Sequence, residues 1–160
     1  MCYCSFIMFF LSACGQSPEI KLHVYSQVTL PGIRPESEND DHNFPKSYFF
    51  YAEAKKDVKF TLEGCWIEGK YHSAGIEMVS SPVIIANQSV ITEQQDTLVK
   101  KSDKAVYHII PGGQTERLTM DEAEKKSVTE NQFVLIVKVN NKLQFITVKK
   151  IKELSPAAMM

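Results

Sequence analysis

The 160-residue sequence lacks two features that would place it in a familiar class. It has no excess of basic residues, because its net charge is -1 and its isoelectric point is about 6.4. Nucleic-acid-binding domains need a clearly basic face and commonly have an isoelectric point above about 9. The sequence also lacks a long apolar run: the opening stretch 2–13 has 12 residues, whereas a membrane-spanning helix needs about 20. We therefore expect neither nucleic-acid binding nor a transmembrane helix.

Sequence motifs for metals and phosphates are also missing. The four histidines are too widely spaced for a zinc motif, and the segment 111–113 is not followed by the Gly-Lys-Ser/Thr of a phosphate-binding loop. We predict no metal site and no cofactor, and interpret 111–113 as a loop. An acidic cluster in the predicted loop 31–47 fits no EF-hand spacing, so a solvated loop is favoured over a calcium site. The histidines are His23, His42, His72 and His108, and the acidic cluster is Glu36, Glu38, Asp40 and Asp41.

The opening run is instead typical of an export signal. Its length lies within the roughly 7 to 15 residues of a signal-peptide apolar region, and small residues follow it. Leu11-Ser12-Ala13-Cys14 then resembles the lipobox of bacterial lipoprotein precursors. The resemblance implies that residues 1–13 are removed and that Cys14 becomes the lipidated first residue. Because two or three acyl chains hold a protein stably at a membrane, it also implies a lipid-anchored protein of the cell envelope.

Three details complete this expectation. Residue 15 is glycine rather than the aspartate that favours inner-membrane retention in this family, which favours the outer membrane, facing the periplasm or the cell surface. Residues 14–19, with Pro18, form a polar tether. Cleavage after Gly15 by the ordinary signal peptidase would instead give a secreted, unanchored factor, and residues 5–13 could also be a buried strand.

The mature chain has the pattern of an all-β protein. Apolar and polar residues alternate over 20–30, and short runs rich in aromatic and β-branched residues follow from residue 47 at short spacing. We predict one domain over 20–154, an antiparallel β-sandwich of immunoglobulin-like architecture with seven to eight strands and one short connecting helix, and a tail over 155–160. The helix is predicted from the capping-box spacing of Thr119 and Glu122.

Two hairpins can be predicted in register. A two-residue turn at Asn140-Asn141 pairs Val139 with Lys142, because asparagine tolerates the positive φ angles that such a turn needs. The strand 133–137 before it is apolar on both faces, so it is expected in the middle of a sheet.

A second turn at Glu68-Gly69 pairs Ile67 with Lys70, Trp66 with Tyr71 and Cys65 with His72. With strict alternation, the Trp66–Tyr71 pair shares a face with three upstream apolar residues and packs in the core. Those residues are Val58, Phe60 and Leu62.

One pair of residues could carry chemistry. Cys65 and His72 face each other across the predicted hairpin, and an imidazole can favour the thiolate form of a nearby cysteine. No orienting residue or oxyanion donor can be named for this pair, so we predict no catalytic residue and keep a small envelope enzyme as the alternative.

The favoured function is therefore non-enzymatic. We expect a binding or structural module that is attached to the membrane through Cys14 and has a possible envelope protein partner. A concave surface lined by tyrosines would favour binding. A local excess of lysine over 138–153 is interpreted as protection of a sheet edge rather than as an anionic-partner patch. The tyrosines are Tyr25, Tyr48, Tyr51 and Tyr107, and the lysines are Lys138, Lys142, Lys149, Lys150 and Lys152.

Overall fold

The computed structural model describes residues 20–30, 44–89 and 92–158. The predicted signal peptide, Cys14, the tether and the acidic cluster lie outside these residues. The strands are β1 (Ile20–Leu30), β2 (Lys46–Ala54), β3 (Phe60–Ile67), β4 (Lys70–Val79), β5 (Val83–Ser89), β6 (Thr92–Val99), β7 (Ala105–Gln114), β8 (Phe133–Val139), β9 (Lys142–Val148), β10 (Lys152–Glu153) and β11 (Ala157–Ala158), and the helix α1 is Glu122–Glu130.

Most strands belong to one strongly curled sheet, in the order β10-β1-β2-β7-β4-β3-β8-β9. Its main pairs are antiparallel, while the short β10 and β11 run parallel to β1. The hairpin β5–β6 forms a separate two-stranded sheet. The predicted all-β, sandwich-like fold with one short helix is confirmed, although a single mixed sheet curled over itself supplies most of it.

The main core fills the inside of the curl. Strand β1 alternates in the predicted way, so Ile20 and Val24 point inward and are buried. From opposite sides of the curl, the rings of Phe50 and Phe133 stack with centroids 4.6 Å apart. Strand β8 lies between β3 and β9, which confirms its predicted central place. The residues of β8 are buried except Lys138.

Two separate layers cover the outer face of the sheet. The β5–β6 hairpin packs there around Tyr51, Leu98 and Val106. Helix α1 covers the other part, where Trp66, Val134 and Ile136 form a smaller apolar cluster with Val128 of the helix. In the part of the chain that the structure describes, no helix has the length and apolar character needed to cross a membrane.

Both predicted hairpins are confirmed in register. Asn140 and Asn141 have φ angles of 51° and 61°, and Val139 pairs with Lys142. Glu68 and Gly69 have φ angles of 48° and 79°, and the three pairs predicted around them, Ile67 with Lys70, Trp66 with Tyr71 and Cys65 with His72, are present. Positive φ at both central residues is the signature of the turn whose twist matches paired strands.

The predicted face of Trp66 is wrong because β3 contains a bulge. The pairing of β3 with β8 shifts between Leu62 and Gly64, where one extra residue is inserted into β3. The insertion reverses the alternation, so Phe60 and Leu62 face the main core while Trp66 and Tyr71 pack under helix α1. Trp66 is buried as predicted, but in the smaller outer cluster.

Two local predictions are also corrected. Helix α1 is capped by Asp121, whose carboxylate accepts a hydrogen bond from the Glu124 backbone N–H at 2.7 Å, so Thr119 is not its cap. The predicted loop 111–113 lies within β7, where a register shift opposite Ser73 accommodates its extra residue. The sheet also continues past residue 154, because Ala157 and Ala158 pair with the end of β1.

Candidate functional site

A pocket of about 460 Å³ lies at one end of the curled sheet. It forms where β2 begins, β3 ends, β4 begins and β7 ends, because antiparallel neighbours bring these termini to the same side. Its inner wall is apolar and its rim is charged. The lining residues are Tyr48, Phe50, Ile67, Glu68, Lys70, His72, Pro111 and Gly112.

An aromatic column connects the pocket with the core. Tyr48 stacks on Phe50 with ring centroids 5.8 Å apart and planes 9° from parallel, and Phe50 stacks in turn on Phe133. Phe50 is buried and Tyr48 is half-buried. Because stacked rings have few alternative positions, this wall of the pocket is preformed.

One side of the rim is an ion pair. The Lys46 ammonium lies 3.3 Å from the Glu68 carboxylate and 5.4 Å from the centre of the Tyr48 ring. Glu68 is held in the tight β3–β4 turn, where its N–H donates to the Gln132 carbonyl at 2.8 Å. Burial, followed by its interaction with Glu68, raises the pKa of Tyr48, so its hydroxyl stays protonated and can donate a hydrogen bond.

The opposite side of the rim carries His72. Its Nδ1 lies 3.2 Å from the Gly112 carbonyl oxygen, which can only accept, so Nδ1 must carry the proton and donate. Nε2 then remains for a ligand. A Cβ at position 112 would lie 2.3 Å from the Ser73 hydroxyl, so a side chain there would require the exposed Ser73 side chain to rotate.

Lys70 and His72 lie two residues apart on β4, so both side chains are directed to the concave face. Among the residues that the structure describes, no carboxylate lies within ion-pair distance of the Lys70 ammonium. The charges of Lys46 and Glu68 cancel each other. With a neutral His72, the Lys70 ammonium therefore gives the rim a net charge of one positive unit. The pocket thus combines an apolar wall with a cationic edge.

The predicted Cys65–His72 pair is confirmed only as a strand register. Cys65 is 0% exposed within the main core, and burial raises the pKa of its thiol to about 12. The thiol therefore stays protonated at neutral pH. Since the thiolate is the nucleophilic form, this environment opposes nucleophilic chemistry at Cys65.

The four tyrosines do not share one surface. Tyr48 lines the pocket and Tyr107 packs at the main core, where it contacts Phe60 edge-on at 5.2 Å. Tyr25 and Tyr51 lie on the outer face under the β5–β6 hairpin. The pocket lysine, Lys70, lies outside the predicted lysine-rich segment. In that segment Lys138 is paired with Glu63 at 2.8 Å.

A polar cluster on the outer face was not predicted, because its members are far apart in sequence. Glu53, whose side chain is 12% exposed, accepts a hydrogen bond from the Ser102 hydroxyl at 2.8 Å and lies 3.0 Å from His23 Nε2. Lys104 lies 3.6 Å from the same carboxylate. The Ser102 hydrogen bond, together with His23 and Lys104, lowers the pKa of Glu53 despite its burial.

Glu53 is expected to contribute to acid sensitivity. Its pKa is lowered on folding, so its stabilising effect is present above the ordinary pKa of 4.5 and is lost as the pH falls through the lowered value. Glu53→Gln should reduce stability near neutral pH and flatten the acid side of the stability profile below about pH 4.5. Urea unfolding at several pH values measures this. Glu116→Gln, at an exposed position, is the control. Equal acid sensitivity of wild type and Glu53→Gln would contradict the assignment.

The described residues contain no group of three or more His, Cys, Asp or Glu side chains arranged to hold a metal ion. The pocket was not predicted, because it depends on where four strand ends meet. The sequence signal that could have pointed to it is the charged Glu68-Gly69-Lys70 turn beside the aromatic start of β2.

No protein-family model, no curated protein and no solved structure matches this chain.

Proposed function

We propose that this protein is a non-enzymatic binding module of the bacterial cell envelope that holds a small molecule in the pocket at the end of its curled sheet. The observation that carries the proposal is the pocket itself, which combines a preformed aromatic wall with a few polar groups on its rim. Small-molecule sites are typically concave, largely apolar and furnished with a small number of placed polar groups.

The membrane anchor is part of the proposal and rests on the sequence. The segment Leu11-Ser12-Ala13-Cys14 supports lipidation of Cys14 and attachment to the outer membrane, facing the periplasm or the cell surface. Intact mass of the mature N-terminus tests this. A mass for a chain that begins at Cys14 and carries diacylglyceryl is expected, whereas an unmodified N-terminus at Gln16 would establish the secreted, unanchored alternative.

Ligand binding can be tested on the purified mature protein by two-dimensional NMR. A fragment library that contains anionic, neutral and cationic compounds should yield binders that shift the amide signals of Lys70, His72 and Gly112. Filling the pocket with Gly112→Leu would be ambiguous, because position 112 lies against Ser73. Tyr48→Ala is the better variant for testing the pocket. It shortens the aromatic wall at its half-buried outer end and should weaken the binding of the fragments. Absence of any binder at these residues would contradict the proposal.

The alternative of a small envelope enzyme that uses Cys65 and His72 is supported by their pairing across the hairpin. Cys65→Ser separates the two functions. A binding module should retain its ligand, whereas loss of an activity with an unchanged circular dichroism spectrum would favour the enzyme. The buried, protonated thiol supports the binding module.

A further inference from the structure

We propose that the ligand of this pocket is a small organic acid, with an apolar body that lies against Tyr48 and Pro111 and one anionic group that binds Lys70 and His72. This inference rests on the proposed ligand-binding function and specifies its chemistry.

The apolar half of the pocket requires an apolar body. Tyr48 and Pro111 are partly exposed and form the accessible apolar wall, while the almost fully buried Phe50 and Ile67 close its inner end. A ligand that covers this wall removes apolar surface from water, which gains roughly 25 cal/mol for each Å².

The charged half requires an anion. Lys70 presents an ammonium group that has no carboxylate partner among the described residues, and it lies beside His72 on the same face of β4. The hydrogen bond from Nδ1 to Gly112 orients the imidazole and leaves Nε2 for the ligand. In the protonated imidazole, Nε2 donates a hydrogen bond to an anionic oxygen. In the neutral imidazole, Nε2 accepts a hydrogen bond from the hydroxyl of a protonated acid.

The one carboxylate in the pocket lining does not favour a cationic ligand. Glu68 is already paired with Lys46, and it also interacts with the Tyr48 hydroxyl. Burial lowers the pKa of Lys46, but the hydrogen bond that Lys46 donates to Glu68 and the nearby negative charges outweigh it, so the pKa lies above its ordinary value. A cation would have to displace Lys46, whereas an anion meets the Lys70 ammonium, which has no carboxylate partner in the part of the chain that the structure describes.

Three matched probes test the charge preference: naphthalene-2-carboxylate, naphthalene-2-carboxamide and 2-naphthylmethylammonium. They share one apolar body and differ in the polar group. Titration of the mature protein, followed by NMR at low ionic strength, should give a dissociation constant about tenfold lower for the carboxylate than for the amide, because hydrogen bonds to charged groups are the stronger ones. The ammonium probe should bind most weakly. Added salt should reduce the difference.

Variants identify the source of the preference. Lys70→Met keeps the aliphatic stem and should remove the preference for carboxylate over amide while retaining the binding of the amide. Lys142→Met, on β9, is the matched control and should leave the preference unchanged. Circular dichroism confirms the fold of both.

The outcomes separate this inference from the function on which it rests. Equal or tighter binding of the amide or ammonium probe at the pocket would overturn the anionic ligand and leave the binding function in place. A preference that persists in Lys70→Met would also overturn the assignment. Absence of pocket binding by these probes and by the whole fragment library would overturn the binding function itself.

Discussion

Glu124→Ala is expected to lower the free energy of unfolding by about 2 to 3 kcal/mol, because the change leaves the buried Trp66 indole N–H without its acceptor and removes the charge that faces Arg117. Glu124 is 2% exposed. Its carboxylate accepts a hydrogen bond from the Trp66 indole N–H at 2.9 Å and lies 2.6 Å from Arg117 Nε. Arg117 also donates to the Tyr71 hydroxyl at 3.3 Å. One carboxylate thus connects helix α1 with β3 and with the segment before the helix.

Urea unfolding followed by fluorescence measures this effect, because Trp66 is the sole tryptophan and reports on the site directly. Glu124→Gln retains an oxygen acceptor for the indole but loses the charge that faces Arg117, so it should be destabilised by an intermediate amount. Lys125→Ala, exposed on the same helix, is the control and should change stability by less than about 0.5 kcal/mol. A Glu124→Ala protein as stable as this control would show that the network contributes nothing.

Gly64→Ala should be destabilising by about 2 to 4 kcal/mol, which is unusual for a single added methyl group. A Cβ at position 64 would lie 2.3 Å from the Tyr71 hydroxyl oxygen and 2.9 Å from the His72 backbone carbonyl oxygen. The φ angle of 156° adds strain for any residue with a side chain. The Tyr71 hydroxyl donates to the Glu63 carbonyl at 3.0 Å, so the ring cannot withdraw without loss of that bond.

Gly75→Ala is the matched control, because a Cβ there has no heavy atom within 4 Å. It should be neutral or slightly stabilising, since alanine reduces the conformational freedom of the unfolded chain. Combining Gly64→Ala with Tyr71→Phe should recover only part of the loss, because the clash with the backbone carbonyl remains. Denaturant midpoints of the single and double variants give the coupling energy between positions 64 and 71. Equal stability of Gly64→Ala and Gly75→Ala would disprove the close approach of Gly64 to Tyr71.

Local chemistry made the two hairpins predictable. A two-residue turn needs positive φ at both central positions, and Asn140-Asn141 and Glu68-Gly69 contain residues that tolerate it. Once the turn is placed, the register of both strands follows. The opposition of Cys65 and His72 could therefore be predicted, but the burial that keeps the thiol protonated could not, because it depends on strands distant in sequence.

The bulge at Gly64 could not be predicted from alternation. It inserts one residue into β3, and every later side chain of that strand then points to the opposite face. The sequence shows only a glycine between two apolar segments, and the deciding contact is with Tyr71 on the next strand. The same limit applies to the pocket, whose lining combines β2, β3, β4 and β7.

The helix cap was missed for a different reason. Thr119 and Asp121 are both common capping residues, and the spacing to Glu122 favoured the first. In the structure, Asp121 caps the helix, and Glu124 at its third position is buried beneath it. The spacing could not reveal that the Glu124 carboxylate is buried against Trp66 and Arg117.

The direction of β1 sets how the pocket would be oriented relative to a bilayer in a protein lipidated at Cys14. Its first residue, Ile20, pairs with Ala54, and Val28 pairs with Lys46 at the pocket rim, roughly 26 Å further along the strand. With a lipid on Cys14, the residues between it and Ile20 reach at most about 20 Å. If Cys14 carries the proposed lipid, the pocket lies further from the anchor than the tether can span, so its opening would face away from the bilayer.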